Sequence, residues 1–530
     1  MKTIEKFLNT LVSKSAYGKT LLQQRKFAYW ERLSQVFAIM ILAVFPLTMG
    51  FDGYADIARA KYALFKAFMG FYMAAAAVIT AEFLIEQKMW QARKAEGLHK
   101  WNLSQVLITA FVLWGVICAI VSPFHDLWVG QSRYEGVLSM LLYAAIFILL
   151  SFWGEYCDYY VPAMAVMAVI EGLICLAQLW GVNWIYLEGY DFATTEFIGT
   201  IGNIDIVGGM IATVVPALAC GYILLETRWR YVMLSGAAML LLVELWIDVD
   251  SAKIGMLFAF AVCLPFLAAK RKFFSRTLRI GSVFSVVFAL AKMFTPLSPA
   301  AVTFGKLSLA AVVLAAVLGA ASWLLERKER DFRWSAKTIN LVVAGAEILL
   351  VIAALLYLRG YEGSSVLLTD IRNVLHGELA DSAGTNRGFV WKACIELMAA
   401  APVFGCGPGG FYEAFTPYNR EELGVMYDFA HNDFLQVGVC MGYVGLALYI
   451  AFLVVLAVKT IKAANRCPLV IIFAASVAGY LAHSFFSFSI TIVTPLYWVM
   501  AGLLDKLIRQ MPQELPPSGG KERSKHKTKP

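Results

Sequence analysis

Residues 339–358 read INLVVAGAEILLVIAALLYL, and this stretch decides the fold. A bilayer's hydrocarbon core takes about 20 consecutive apolar residues as a helix, and this run holds a single charged side chain, Glu347. Working outward, apolar runs of the same kind recur near 33–49, 62–85, 103–121, 137–153, 161–180, 206–225, 231–247, 254–269, 280–297, 307–325, 431–458, 468–487 and 489–508. The runs at 254–269 and 489–508 are the weakest, broken by Pro265, Pro495 and a late Asp505. The chain is 60% hydrophobic and 15% charged, which excludes a soluble multidomain protein. With no water to satisfy the backbone, helices are the economical way across. The expected fold is all-α, a polytopic membrane protein of about 12–14 transmembrane helices with one large structured extracytoplasmic loop at 359–430.

Lys and Arg favour the cytoplasmic side of spanning helices. With the N-terminus inside, the inner segments carry 33 of the 45 Lys and Arg residues and the outer ones 10, five of these in 359–430. Both termini are therefore expected in the cytoplasm of a cytoplasmic (inner) membrane protein. The organisation reads as a cytoplasmic or interfacial segment 1–32, helices 1–11 over 33–358, the outer loop 359–430, helices 12–14 over 431–510, and a disordered basic tail 511–530. The net charge of +8 is no nucleic-acid signal. Its clusters, such as Lys270-Arg271-Lys272 and Arg327-Lys328, read as anchors facing anionic lipid. The first 30 residues read as a basic amphipathic segment at 4–30 rather than a cleavable signal. The nine cysteines are mostly scattered through apolar runs, where Cys acts as a small apolar residue. Cys394 and Cys406 share the outer loop and could pair. No Cys/His spacing suggests zinc, and no internal repeat suggests an inverted-repeat transporter.

The outer loop holds a predicted helix, capped by Thr385 or Asn386 and running to about Ala400, with Val390, Cys394, Leu397 and Met398 on one apolar face. Pro402 ends it. Such a helix is expected to lie on or dip into the outer leaflet, bringing Arg387 and His431 close to a lipid head group. Other polar features are expected at the same surface: Gly130 to Gly136 with Arg133, Gly199 to Asn203, Asp248 to Lys253, and His483 at the end of a span. Each has a structural reading too. Arg133 could anchor to lipid, Asn203 could start a helix, Lys253 could snorkel, and His483 could be a hydrogen-bonded packing residue. His431 opens a span beside Asn432, directly after a loop holding Arg372 and Arg387. Transfer of a sugar from a lipid pyrophosphate needs cations for the phosphates, for which the planar Arg fork is suited. It also needs a base near pH 7, commonly His.

Asn386-Arg387, Trp391-Lys392, Ala401-Pro402, Gly405, Gly407-Pro408 and Phe411, followed by Ala430-His431-Asn432-Asp433-Phe434-Leu435-Gln436 and by Gly442 and Gly445, resemble the O-antigen ligase and polymerase superfamily. Gly130…Arg133-Tyr134-Glu135-Gly136 and Gly199…Gly202-Asn203 look like its upstream outer motifs. The resemblance implies a multi-span C-type glycosyltransferase that needs no metal or other cofactor and works at the outer face. Its donor would be a glycan on undecaprenyl pyrophosphate, its acceptor a glycan or lipid-linked hydroxyl, its surroundings membrane lipid. By that likeness Arg387 holds the pyrophosphate and His431 activates the acceptor. Arg133, Asn203, Lys253, Arg372, Asn432 and His483 are the remaining candidates for substrate contact. Where the family has Ser-Arg, this chain has Ser251-Ala252-Lys253, which supplies charge without the fork. Ligase and polymerase share these features. The rival class is a polysaccharide or lipid transporter or flippase, resting on ionisable residues within spans: Lys66, Glu171, Glu244, Lys292 and Glu347.

Overall fold

The computed structural model describes residues 27–51, 53–85, 100–130, 133–182, 197–294, 296, 305–328, 331–419 and 426–510. The expected interfacial segment 4–30, save its last four residues, and the tail 511–530 lie outside them. The regular secondary structure of the described residues is almost wholly helical. In chain order they form α1 (Phe27–Ile39, continued by a π-helical turn Met40–Val44), α2 (Ile57–Ile85), α3 (Leu103–Val121), α4 (Val137–Trp153) and α5 (Tyr160–Leu179). A two-stranded antiparallel hairpin follows, β1 (Phe197–Ile198) with β2 (Gly202–Asn203). Next come α6 (Ile204–Leu224), α7 (Arg230–Ile247), α8 (Asp250–Ala268), α9 (Arg271–Met293), α10 (Lys306–Glu326) and α11 (Ala336–Arg359). The polar loop contributes α12 (Val366–Leu375), α13 (Ala383–Ala400) and the short α14 (Phe411–Phe415). The chain closes with α15 (Asp433–Ala464), α16 (Val470–Ser484) and α17 (Thr494–Gln510). Ten of these helices are long and apolar enough to cross a membrane, and α4 and α16 are shorter apolar ones. The last apolar run was expected from 489, but its helix begins only at Thr494, and 485–493 is an irregular connection.

α6 is the hub. Every residue from Ile206 to Leu224 is buried, and its neighbours are α5, α7, α8, α9 and α16. Its small residues make this possible, since close helix approach in a bilayer is bought with glycine and alanine. A Cβ on Gly209 would stand 2.8 Å from the His483 Nε2, and one on Gly479 of α16 would stand 2.0 Å from the Ala212 carbonyl. At the other extreme, α11 buries only Ile339, leaving Leu349, Leu350 and Tyr357 open to the surroundings.

Buried charges are tied within the protein, as their desolvation cost requires. Asp505 accepts from the Asn102 amide (2.6 Å), the Ser151 hydroxyl (2.5 Å) and the Lys459 ammonium (3.2 Å). Glu171 accepts from the Thr200 amide N–H (2.8 Å) and hydroxyl (2.5 Å), closing the β1–β2 hairpin onto α5. Of the basic residues expected as lipid anchors, Lys272 is engaged in an ion pair within the protein, at its exposed surface. Lys272 and Arg276 both reach Glu226 (2.8 and 3.0 Å), and Arg279 pairs with Glu326 (2.5 Å), because α9 begins at Arg271 and carries them against α6 and α10.

α13 departs from expectation in two ways. Its first turn is not capped at Thr385 or Asn386: Gly384, Thr385 and Asn386 all take left-handed backbone (φ 58°, 63° and 67°). Its apolar face does not meet lipid. Val390, Cys394 and Met398 are buried against α15, where a Cβ on Gly438 would collide with Met398. All nine cysteines are free; Cys406 has the sulfur of Cys440 for a neighbour (3.9 Å) rather than that of Cys394.

α15 is broken at Gly442 (φ 65°, ψ −174°), a conformation open essentially to glycine alone. The break leaves helix carbonyls and amides without helical partners, and the glycine-rich segment after α13 takes them. The Cys406 and Gly407 amides donate to Val439 and Cys440 (2.9 and 2.8 Å), the Tyr443 amide donates to Pro402 (2.8 Å), and the Trp114 indole donates to Met441 (2.9 Å). Gly405 must lack a Cβ, which would lie 2.3 Å from the Val439 carbonyl.

Candidate active site

His431 sits immediately before α15. The Asn432 side chain caps that helix, accepting from the Phe434 and Leu435 amides (2.9 and 3.0 Å), which is what an Asn at this position does best. Both polar groups of Ala430 are held as well: its amide donates to the Gln436 side chain (2.9 Å) and its carbonyl accepts from the Trp391 indole (3.1 Å). The His431 backbone is left-handed (φ 47°), a conformation that a non-glycine residue keeps only when its surroundings impose it. The imidazole meets Tyr427 and Phe488 edge to face, at 6.1 and 5.2 Å between centroids. Its Nδ1 is buried with no hydrogen-bond partner among the described residues. Burial, then the positive charges of Arg387 and Arg133, bring its pKa down to about 4, with Asp428 pulling the other way. The ring is therefore neutral at pH 7.

Arg387 follows directly on the left-handed turn. The turn is pinned by the Gly384 amide, which donates to Asp370 (3.0 Å), and by Gly388, where a Cβ would strike the Ala380 carbonyl at 1.9 Å. The guanidinium makes one hydrogen bond, Nη1 to the Gly384 carbonyl (3.2 Å), and its Nε is buried without a partner among the described residues. Arg387 is a preorganised cation whose hydrogen-bonding capacity is mostly unused.

Arg133 belongs to the same cluster but is engaged differently. It forms a bidentate pair with Asp428 (2.9 and 3.1 Å) and lies over the rings of Phe488 (4.2 Å) and Phe429 (5.2 Å). Its charge is partly balanced, and its planar fork is held for contact from one side. His483 is buried at the end of α16, its Nδ1 without a hydrogen-bond partner among the described residues, within electrostatic range of Arg387.

The other candidates have local work. Lys253 is held by the carboxylates of Asp248 (2.5 Å) and Asp250 (2.8 Å) in its own turn. Asn203 caps α6 through the Asp205 amide (2.9 Å). Arg372 donates to the Tyr361 carbonyl (3.2 Å) and to Asn373 (3.1 Å) on α12. Thus Arg133, Arg387, His431 and His483 gather, while Lys253, Asn203 and Arg372 are spent on their own loops.

Sequence reading missed a mainly apolar cavity of about 130 Å3 among α3, α4, α15 and α17, with carboxyl and hydroxyl groups in its wall. Its polar lining includes Glu135, Asp433, Gln436, Tyr143, Tyr480, Ser489 and Tyr497. Glu135 accepts from Tyr143 (2.7 Å) and Thr491 (2.9 Å); Asp433 accepts from the amide and hydroxyl of Ser489 (2.7 and 2.5 Å). Burial pushes the Glu135 carboxyl up to about 8, against those bonds. The only early signal was that both acids stand within quoted motifs, next to Arg133 and His431. Among the described residues no three His, Cys, Asp or Glu side chains converge as metal ligands would.

Residues 293–450 match the family described as O-antigen ligase. This segment is similar to an O-antigen ligase domain. It runs from the end of α9 into α15, so it contains Arg387, the glycine-rich segment and His431, while Arg133, Glu135 and His483 lie outside it. None of the curated proteins compared with the chain matches it. O-antigen ligases are a glycosyltransferase-like enzyme class, and the chain is a glycan-transferring membrane enzyme.

Proposed function

We propose that the enzyme moves a glycan from undecaprenyl pyrophosphate to an acceptor hydroxyl at the outer face of the cytoplasmic membrane, without a metal, as an O-antigen ligase or polymerase does. The observation that carries this reading is the pairing, inside the matched segment, of an unsaturated guanidinium with an unpartnered neutral imidazole. Arg387 holds the diphosphate and stabilises the charge that grows on the leaving oxygen. His431 takes the proton of the acceptor hydroxyl. The hydroxyl oxygen bonds to the anomeric carbon as the carbon–oxygen bond to phosphate breaks, releasing undecaprenyl pyrophosphate. The asymmetry of Lys and Arg supports the outer placement of this loop, with both termini inside.

Donor binding would also tune the base. The diphosphate offsets the two guanidinium charges that disfavour a protonated His431, so the imidazole becomes a stronger base once the donor is seated. A transport role loses its main support, because Glu171 is committed to the hairpin through two hydrogen bonds. The test is release of free undecaprenyl pyrophosphate from a lipid-linked glycan by the full chain in lipid nanodiscs. His431→Ala and Arg387→Ala should each abolish transfer in protein that still inserts. Transfer that survives both substitutions would exclude this assignment.

A further inference from the structure

The irregular connection between α16 and α17, residues 485–493, lies outside the matched segment and holds no ionisable side chain. It nevertheless meets the elements that carry Arg133, Arg387 and His431. Phe485 and Phe486 close on the Trp391 indole of α13, each at 6.1 Å between centroids. That indole is the group that holds the Ala430 carbonyl, next to His431. Phe488 is buried, and its ring meets the His431 imidazole at 5.2 Å and nearly at right angles (84°). The Arg133 guanidinium stands 4.2 Å from the centroid of the same ring. One aromatic side chain therefore abuts both the base and a cation of the site.

The connection is tethered from outside, at the residues that follow Phe488. Asp433, in the first turn of α15, accepts from the Ser489 amide (2.7 Å) and hydroxyl (2.5 Å). Glu135 accepts from the Thr491 hydroxyl (2.9 Å). Asp433 is two residues from His431, and Glu135 is two from Arg133. Each tether thus runs from beside a site residue to beside Phe488. A buried carboxyl keeps its donors firmly, because losing them would leave it desolvated and unmatched. A ring that only filled space would not need its neighbours held by two acids. The contact with Arg133 also suits a phosphate-binding role. Cation–π attraction steadies a guanidinium without using its N–H donors, so those not taken by Asp428 stay available.

We propose that Phe488 is a positioning residue of the transfer reaction: its ring covers the His431 imidazole and backs the Arg133 guanidinium, aimed by the tethers from Asp433 to Ser489 and from Glu135 to Thr491. The assignment rests on the glycosyl-transfer reading. It adds 485–493 to the site as the element through which the base and a donor-binding cation are held in one arrangement.

The test compares the full chain in lipid nanodiscs with its Phe488→Leu variant, which keeps apolar bulk and removes the ring. Affinity for undecaprenyl pyrophosphate, read by competition, should fall about three- to tenfold, within the worth of one cation–π contact. Adding Phe488→Leu to Arg133→Ala should cost nothing further, since residues that act through one another are not additive. The acid limb of kcat/KM should move up toward the ordinary histidine value, as the imidazole loses its cover while Arg387, Arg133 and Asp428 still face it. Ser489→Ala, which removes one bond to Asp433 and leaves the ring, should shift both readouts the same way and less far. Additive losses for Phe488→Leu and Arg133→Ala would overturn the proposal. So would an acid limb that stays near about 4 in both Phe488→Leu and Ser489→Ala, which would make the ring ordinary packing. The parent reading fails separately, through transfer that survives in His431→Ala. The affinity measurement uses the product lipid and needs no turnover, so it decides the role of Phe488 toward Arg133 in either case.

Discussion

The pH dependence of transfer carries the most information about this site. As the proposed base, His431 must be neutral to accept a proton, and its pKa is brought down to about 4 by burial and by Arg387 and Arg133. Glu135, two residues from Arg133, is kept neutral at pH 7 by burial, which raises its pKa to about 8, so its ionisation would add a carboxylate beside the cation cluster. Activity is therefore lost as pH falls through about 4 and again as it rises through about 8. The profile of kcat/KM, which reports the free enzyme, should be a broad bell between those limits. An ordinary histidine, with a pKa of roughly 6.5, would be about nine-tenths protonated at pH 5.5. Measured there, the two cases differ by about tenfold in rate. The acid limb of kcat should lie above that of kcat/KM, because bound diphosphate offsets the flanking cations. Glu135→Gln should erase the alkaline limb while the acid limb stays. The assay is release of undecaprenyl pyrophosphate across roughly pH 3 to 9.5, spanning both limbs. An acid limb of kcat/KM near the ordinary histidine value, or an alkaline limb indifferent to Glu135→Gln, would refute the reasoning.

Other substitutions have defined outcomes. Arg387→Lys keeps the charge and loses the fork, so kcat/KM should fall at least about tenfold with little change in thermal unfolding. Thr385→Gly relieves a left-handed β-branched residue; it should stabilise the protein by about 1 kcal/mol in thermal unfolding yet lower kcat/KM, since the turn that aims Arg387 loosens. Gly442→Ala forces a Cβ to within 2.2 Å of the Val403 carbonyl and should cost about 3 kcal/mol or more, read as a lower Tm together with lost transfer. Glu171→Gln weakens the hairpin clamp and should lower Tm while KM for donor and acceptor stays unchanged, whereas a coupling role in transport would show as lost function at unchanged Tm.

The helices were legible because length and hydropathy alone determine whether a segment is stable in lipid. Arg387 and His431 were legible because their residue types suit the chemistry and they share one polar stretch. Geometry made by distant partners was not legible. Asp428 meets Arg133 across 295 positions of chain, and no local pattern announces the pair. The break at Gly442 falls within a continuous apolar run, where periodicity carries on undisturbed. The left-handed turn at 384–386 reads locally as a helix start, since Thr and Asn are good caps; the Asp370 carboxylate and the Ala380 carbonyl decide otherwise. Lys253 looked available because its two carboxylate neighbours only converge once Asp248 turns left-handed (φ 60°).

The docking of 402–407 onto α15 has a consequence for how such enzymes drift. The joint is made mainly of main-chain atoms and the bare faces of glycines, so it is indifferent to most side-chain lettering around it. Substitution can therefore erode the recognisable spelling of this region while the histidine's perch stays where it is, provided the few places that must stay small are spared.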